Sequence, residues 1–397
     1  MTELAEDVTL SFPRTRSCPF APPAEYRQLR EETPISKVSL PDGRRVWALS
    51  RHEDIRAMLT DPRFSSDRKN PKFPRMVPGQ QFERIPASMI SMDAPEHGPA
   101  RRKVVGEFTV KRMRALRPRI QSIVDEHVEA MLAGPRPVDL VQALSLPVPS
   151  LVICEQLGVP YADHEFFQQR STKFISWRTP ADERRAAIAE LGEYLEDLVR
   201  AKQRDPGDDL LGRQITEHAP SHAELVGLAF ILLVAGHETT ANMISLSTVL
   251  LLNRPGDLEA IKADPGKTPA AVEELLRYFT IAELANSRFA VEDVELGGVL
   301  IRAGDGVLAL SNAANRDPAA FAEPDEFDIE RGARHHVAFG YGPHQCLGQN
   351  LARMELQIVI DTLFARIPGL RLTQEIDEIA FKDQATIYGI KELPVTW

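Results

Sequence analysis

The stretch from Ser221 to Asn253 sets the scale of the fold. Ser221 and Glu224 have capping-box spacing, and apolar residues then recur with helical period up to Asn253, just ahead of Pro255-Gly256. A helix of that length reaches roughly 48 Å, enough to cross a whole domain. Its apolar block, Leu225 to Gly236, is short for a bilayer span of about 20 residues and runs straight into His237 and Glu238. The segment therefore reads as a core helix. Within it lies Ala235-Gly236-His237-Glu238-Thr239-Thr240. Glycine costs a helix about 1 kcal/mol, and a buried acid is costly unless partnered. A lone threonine can bond back to the carbonyl four residues earlier. An acid and an alcohol side by side in an apolar helix call for a chemical reason.

The rest of the chain fits a mainly α protein with minor β structure. Of its 397 residues 43% are hydrophobic and 26% charged, which excludes disorder and a small stapled scaffold. Length alone gives two to three domains at about 150 residues each. No repeat, low-complexity tract or linker-like break appears, so the expectation is one large domain over 1–397 with a flexible N-terminal segment of about 1–15. The formal charge of −10 argues against nucleic acid or an anionic membrane as partner. The acidic start, M-T-E-L-A-E-D, is neither a secretory signal nor an anchor. Three cysteines, Cys18, Cys154 and Cys346, cannot form a disulfide framework and suit a reducing cytoplasm.

Strand signals cluster in two places. Lys37 to Leu40 and Arg45 to Leu49 flank Pro41-Asp42-Gly43 and predict a hairpin. Val294 to Leu296, Val299 to Ile301 and Val307 to Leu310, separated by glycine-rich turns, predict a meander. Ser50 and Glu53 have capping-box spacing before an Ile55, Met58, Leu59 face. Met113 to Leu132 and Ala186 to Ala201 are amphipathic helices by period. The polar stretch from Asp61 to His97 is long for a loop, which marks it as functional or mobile.

Cys346 stands apart from the other two cysteines, which are expected to pack as small hydrophobes. It lies in Phe339-Gly340-Tyr341-Gly342-Pro343-His344-Gln345-Cys346-Leu347-Gly348, directly before a helical pattern from Gln349 to Ile360. Free amides and the positive dipole end at a helix start favour a thiolate. Glycine allows backbone amides to approach such a sulfur closely. The thiolate could serve as a nucleophile, a zinc ligand or a haem ligand; zinc would need further Cys or His at short spacing.

This decapeptide resembles the haem-binding signature of the cytochrome P-450 family, F-G-x-G-x-H-x-C-x-G, at every specified position. Ala235 to Thr240 resembles the family's distal-helix motif. Glu274 and Arg277, on a helix opened by Thr268-Pro269, match its E-x-x-R, with Arg331 as third partner. The resemblance implies thiolate-ligated haem b with Cys346 as iron ligand, a ligand that favours O–O cleavage. Phe339 would pack beside it. His97 and Arg101, sharing a helix face at i,i+4, would meet the haem propionates with Arg288 and His344; Arg102 and His336 are weaker candidates. Gly236 would open a groove for dioxygen, and Glu238 and Thr239 would support proton delivery.

The resemblance further implies a triangular, mainly helical fold with small antiparallel sheets, closest to the actinomycete class. The implied activity is a monooxygenase that hydroxylates or epoxidises a hydrophobic small molecule with O2. No dinucleotide fingerprint occurs, so electrons would come from a ferredoxin and its reductase, to a cytoplasmic monomer with no membrane or nucleic-acid partner. Rivals are a haem-thiolate nitric oxide reductase fed directly by NADH, a peroxide-using variant and a haem sensor. None of them needs the acid–alcohol pair. Candidate substrate contacts are Phe73, Met76, Met89 and Ile90, then Leu232, Val234 and Ala235, then Leu284 to Ser287, Thr386 and Ile387. They are mostly apolar. Arg75 and Arg84 could meet a polar group.

Overall fold

A computed structural model describes residues 10–77 and 85–397. Its first helices are α1 (Glu25–Glu32), α2 (His52–Thr60), α3 (His97–Val105), α4 (Val110–Ala133), α5 (Pro147–Leu157) and α6 (His164–Ile175). Then come α7 (Ala181–Arg204), α8 (Leu210–His218), α9 (His222–Leu252), α10 (Pro255–Ala263), α11 (Thr268–Phe279), α12 (Ser311–Ala314) and α13 (Gln349–Arg366).

Helix α9 is the axis, with α5, α7, α11 and α13 packed around it. Its capping box is complete: the Ser221 hydroxyl accepts from the Glu224 amide at 3.3 Å, and the Glu224 carboxylate accepts from the Ser221 amide at 2.8 Å. By length and composition the whole helix could span a bilayer, more than its apolar block alone implied. However, 61% of its most apolar window is buried inside the protein, as a core helix requires.

The expected hairpin forms from β1 (Ile35–Ser39) and β2 (Arg45–Leu49), with Val38 opposite Val46. The expected meander does not. Strands β6 (Val294–Leu296) and β7 (Val299–Ile301) pair with each other, whereas β8 (Gly306–Ala309) leaves them. It lies parallel to β2 and antiparallel to β5 (Arg288–Ala290), so the five-stranded sheet is mixed, with β3 (Phe64–Ser65) at its far edge. The reason is burial. All four β8 residues are buried, and such an unbroken apolar strand belongs in a sheet interior rather than at a half-exposed edge. A third sheet joins β4 (Val138–Asp139), β10 (Pro394–Thr396) and β9 (Arg371–Leu372), whose strands are too short to carry a period.

Two local readings need correction. Ser50 does not cap α2: its hydroxyl donates to the Pro34 carbonyl at 3.1 Å, and Arg51 takes the N-cap position. Cys18 is exposed, while Cys154 is buried in α5, where burial pushes its thiol up to about 12. Of the segment expected to be flexible, residues 1–9 lie outside the described residues. Phe12 is buried, and its amide donates to Ser39 at 2.8 Å.

Candidate active site

Strain and amide direction shape the cysteine loop. Gly340 and Gly342 adopt φ of +70° and +71°, in the left-handed region open to glycine. A Cβ on Gly340 would also come within 2.8 Å of Asn286 Oδ1, and one on Gly342 within 2.9 Å of the Leu59 carbonyl oxygen. The Cys346 amide donates to the Phe339 carbonyl at 2.8 Å and closes the loop. Beyond it the Gly348 and Gln349 amides hydrogen-bond to Cys346 just ahead of α13. Burial pushes the Cys346 thiol up, against the pull of the Gly348 amide, Arg101, Arg353 and the Gln349 amide. Phe339 is half-buried, with the Arg353 guanidinium 4.6 Å from its ring centre.

Four of the expected haem contacts converge beside this loop. Arg101 donates to the Gln345 carbonyl at 2.6 Å, one residue from Cys346. His97, at the start of α3, stacks on His344 with ring centres 3.9 Å apart. Arg288 is buried and donates to the Ser287 carbonyl at 2.8 Å. Burial, Arg288 and His97 push His344 down to about 3. Burial and Arg68 push Arg288 down to about 10, and burial alone does the same to Arg68. Arg68 was missed from the sequence because it sits in the irregular 61–97 segment; its guanidinium donates to the Ala285 carbonyl at 2.8 Å. The one acid that lowers the repulsion, Asp93, already accepts from the Ser66 amide and hydroxyl, both at 2.8 Å. His97 Nε2 is buried without a partner. A donor-rich, cation-rich cradle with an orphaned nitrogen fits two propionates.

Across the site, one face of α9 opens. Ala235 is exposed, and Gly236 and Thr239 are half-buried, in a helix otherwise largely buried. The Thr239 hydroxyl donates to the Ala235 carbonyl at 2.8 Å, the expected back-bond. Glu238 is buried and accepts from Lys382 Nζ at 2.9 Å, a partner 144 residues away that no local pattern announces. Gly236 also has a packing role: a Cβ there would lie 3.0 Å from the Ile153 side chain of α5.

The E-x-x-R pair is a closed network. Arg277 grips both oxygens of Glu274, at 2.7 and 2.6 Å, with both side chains fully buried. Arg331 adds a bond to Glu274 at 3.1 Å. His336 belongs elsewhere, 3.3 Å from Glu273, which also takes Arg353 at 2.6 Å. Arg102 is exposed.

The substrate candidates divide. Leu232, Val234 and Ile387 are buried, while Met89 and Ile90 form a half-buried 3-10 turn. Leu284 and Thr386 meet at a cavity of about 40 Å³, and Met76 lines a neighbouring one of about 160 Å³. Phe73 instead packs on Phe289. Arg84 lies outside the described residues.

Residues 268–367 match the family model described as Cytochrome P450. Pentalenic acid synthase of Streptomyces avermitilis is 51% identical, covering 100% of both chains. Among solved structures, cytochrome P-450 MoxA from Nonomuraea recticatena has a TM-score of 0.90 at 60% identity, covering 98% of each chain. Mycinamicin VIII C21 methyl hydroxylase from Micromonospora griseorubida, bound to mycinamicin VIII, gives 0.94 at 42% identity, over 98% of this chain and 100% of that one.

Proposed function

This chain belongs to the cytochrome P-450 family and is a P-450 monooxygenase with thiolate-ligated haem b, and from that premise we propose the residues that do its work. Cys346 is the iron ligand. His97, Arg101, Arg288 and His344 hold the propionates, and Phe339 packs beside the cysteine. Glu238 and Thr239 govern proton delivery on the open face of α9, with Gly236 leaving room for dioxygen. The observation that carries this reading is the direct bond from Arg101 to Gln345, which joins the cation cluster to the cysteine loop.

Bound haem supplies the reductive activation of O2; the chain controls what reaches it. Amides and guanidinium groups around Cys346 favour the thiolate. The Ala235 face is apolar apart from Thr239, so protons arrive at one hydroxyl and bulk water is kept back. Electrons come singly from a ferredoxin and its reductase. The substrate is a hydrophobic metabolite of the kind named in relatives such as the mycinamicin hydroxylase, held by Met89, Ile90, Leu232, Ala235, Leu284 and Ile387. Unpaired cysteines favour the cytoplasm.

The reduced protein with carbon monoxide should give the red-shifted Soret band of thiolate ligation, and Cys346→His should abolish it. An unchanged spectrum would remove Cys346 from the site. Product that forms only with ferredoxin and reductase upholds the electron route; steady NADH use with nitric oxide and no ferredoxin would replace it.

A further inference from the structure

We propose that the two adjoining cavities lined by Trp177 form an outer subsite for a neutral polyhydroxylated group, so that the substrate is a glycosylated hydrophobic molecule. The inference rests on the monooxygenase reading and on Leu284 and Ile387 as substrate contacts.

Trp177 lies in the loop between α6 and α7 and is fixed through both its backbone and its ring. Its amide donates to the Gln384 carbonyl at 3.0 Å, and its indole N–H donates to the Thr386 hydroxyl at 3.1 Å. Next to it Ser176 bridges Ala385, and Arg178 donates to the Gln384 side chain at 2.8 Å. Residues 384–386 belong to a hairpin in which Phe381 bridges Ile390 and the Lys382 amide donates to the Gly389 carbonyl at 2.8 Å. An aromatic wall held this way loses little freedom when a ligand packs on it.

The outer cavity, of about 160 Å³, is bordered by Arg14, Trp177, Asp383 and Gln384 as well as Met76. That is far more than the roughly 10–15 Å³ one water needs. The inner one, of about 40 Å³, shares Arg14, Trp177 and Asp383 and adds Glu283, Leu284 and Thr386. A molecule seated here continues toward the residues assigned to the substrate. Two buried polar atoms along this path are unsatisfied: Arg14 Nε, a donor, and Glu283 Oε1, an acceptor. Buried atoms of that kind call for a partner.

The charges around them are already matched or solvated. Arg14 pairs with Glu25, and Lys382 with Glu238 at 2.9 Å. Arg16 lies 4.0 Å over the Tyr388 ring and donates to the Phe279 carbonyl at 3.4 Å. None of these cations is left for an anionic group. Asp383 is exposed, and a single indole is not the aromatic cage that a cationic group calls for. A hydroxyl both donates and accepts, so hydroxyls can meet Arg14 Nε and Glu283 Oε1 alike. A sugar ring carries several of them and has an apolar face to lay on the indole.

The test uses the haem-loaded protein and four probes with one chain length: decyl β-glucoside, 1-decanol, decanoate and decyltrimethylammonium, each below its micellar concentration. Affinities are read by calorimetry and by the shift in haem spin state. The glucoside should bind about tenfold more tightly than decanol, the effect of one or two net hydrogen bonds. That advantage should vanish in Trp177→Ala and fall in Arg14→Met, while decanol binds both as it binds the parent protein. Trp177→Phe, which keeps a ring, should retain part of it. Saturation-transfer NMR should show the sugar protons in contact with the parent protein and released in Trp177→Ala. A glucoside advantage unchanged in both Trp177→Ala and Arg14→Met would overturn the subsite. So would a larger gain over decanol by decanoate or by the ammonium compound. Either result alongside an intact carbon monoxide spectrum strikes the subsite and leaves the monooxygenase standing; absence of that spectrum in the parent protein strikes the reading beneath both.

Discussion

Two clusters of charged and titratable side chains in this molecule are built on opposite plans. In the Glu274–Arg277–Arg331 network every charge is closed by the protein itself. Besides gripping Glu274, Arg277 donates to the Asn315 and Pro324 carbonyls, both at 2.7 Å. In the His97–Arg101–Arg288–His344 cluster the guanidinium groups face two imidazoles that burial and those same cations push toward the neutral form, and the one acid felt there, Asp93, already accepts from Ser65 and Ser66. Closed charge holds a fold in place; open charge marks where a ligand of the opposite sign belongs. The chain therefore keeps a repulsive cluster whose cost is relieved when an anion binds.

The sharpest way to break this comparison is to remove one member from each side. Arg277→Ala removes the two-pronged partner of the fully buried Glu274, leaving it only the single bond from Arg331 as cationic partner, and should cost about 3–5 kcal/mol, measured by denaturant unfolding of the protein with or without haem. Arg277→Lys should rescue little, because a single ammonium cannot form the two-pronged grip. Arg288→Ala should behave differently. Haem would dissociate roughly 30-fold faster, equivalent to about 2 kcal/mol, while the haem-free protein keeps its melting temperature or gains a little from reduced repulsion. A haem-free protein destabilised as much by Arg288→Ala as by Arg277→Ala would erase the distinction.

How legible these clusters were from sequence follows from how local their logic is. Glu274 and Arg277 are three residues apart on one helix, as are His97 and Arg101 at four, so period places them on shared faces. The capping box of α9 and the glycines around Cys346 are equally local. What could not be read are partners set by tertiary approach. Lys382 meets Glu238 only because Gly389 lets the C-terminal hairpin sit on α9. Arg68 enters the cradle from an irregular segment with no period. The mixed sheet has the same origin: β8 was visible as a strand, but its choice of β2 over β7 depends on which face of each strand is buried.

A third pair tests the comparison at intermediate strength. Glu273 is held down to about 2: burial opposes this, but the His336 ring 3.3 Å away and the Arg353 guanidinium bonded to its carboxylate outweigh it. Its folded value lies below the unfolded 4.5, so the stability it contributes is full above about 4.5 and is lost as pH falls toward about 2. Unfolding free energy should therefore drop by about 2 kcal/mol across that window. Glu273→Gln should flatten that part of the pH profile while leaving neutral-pH haem binding intact. An unaltered acid slope would show that the pair contributes nothing to folding.

The smallest effect belongs to charge that is neither closed in nor held open. Arg200 on α7 bonds Glu196 and Asp197, both at 2.7 Å, with its own side chain 54% exposed. Geometry here is as short as in the Arg277 grip. Water nonetheless screens the attraction, and ordering two long side chains offsets most of the gain. Arg200→Ala should shift stability by only about 0.3–0.5 kcal/mol, and less at high salt. A loss approaching that of Arg277→Ala would mean that distance alone, rather than burial and closure, decides what an ion pair contributes in this fold.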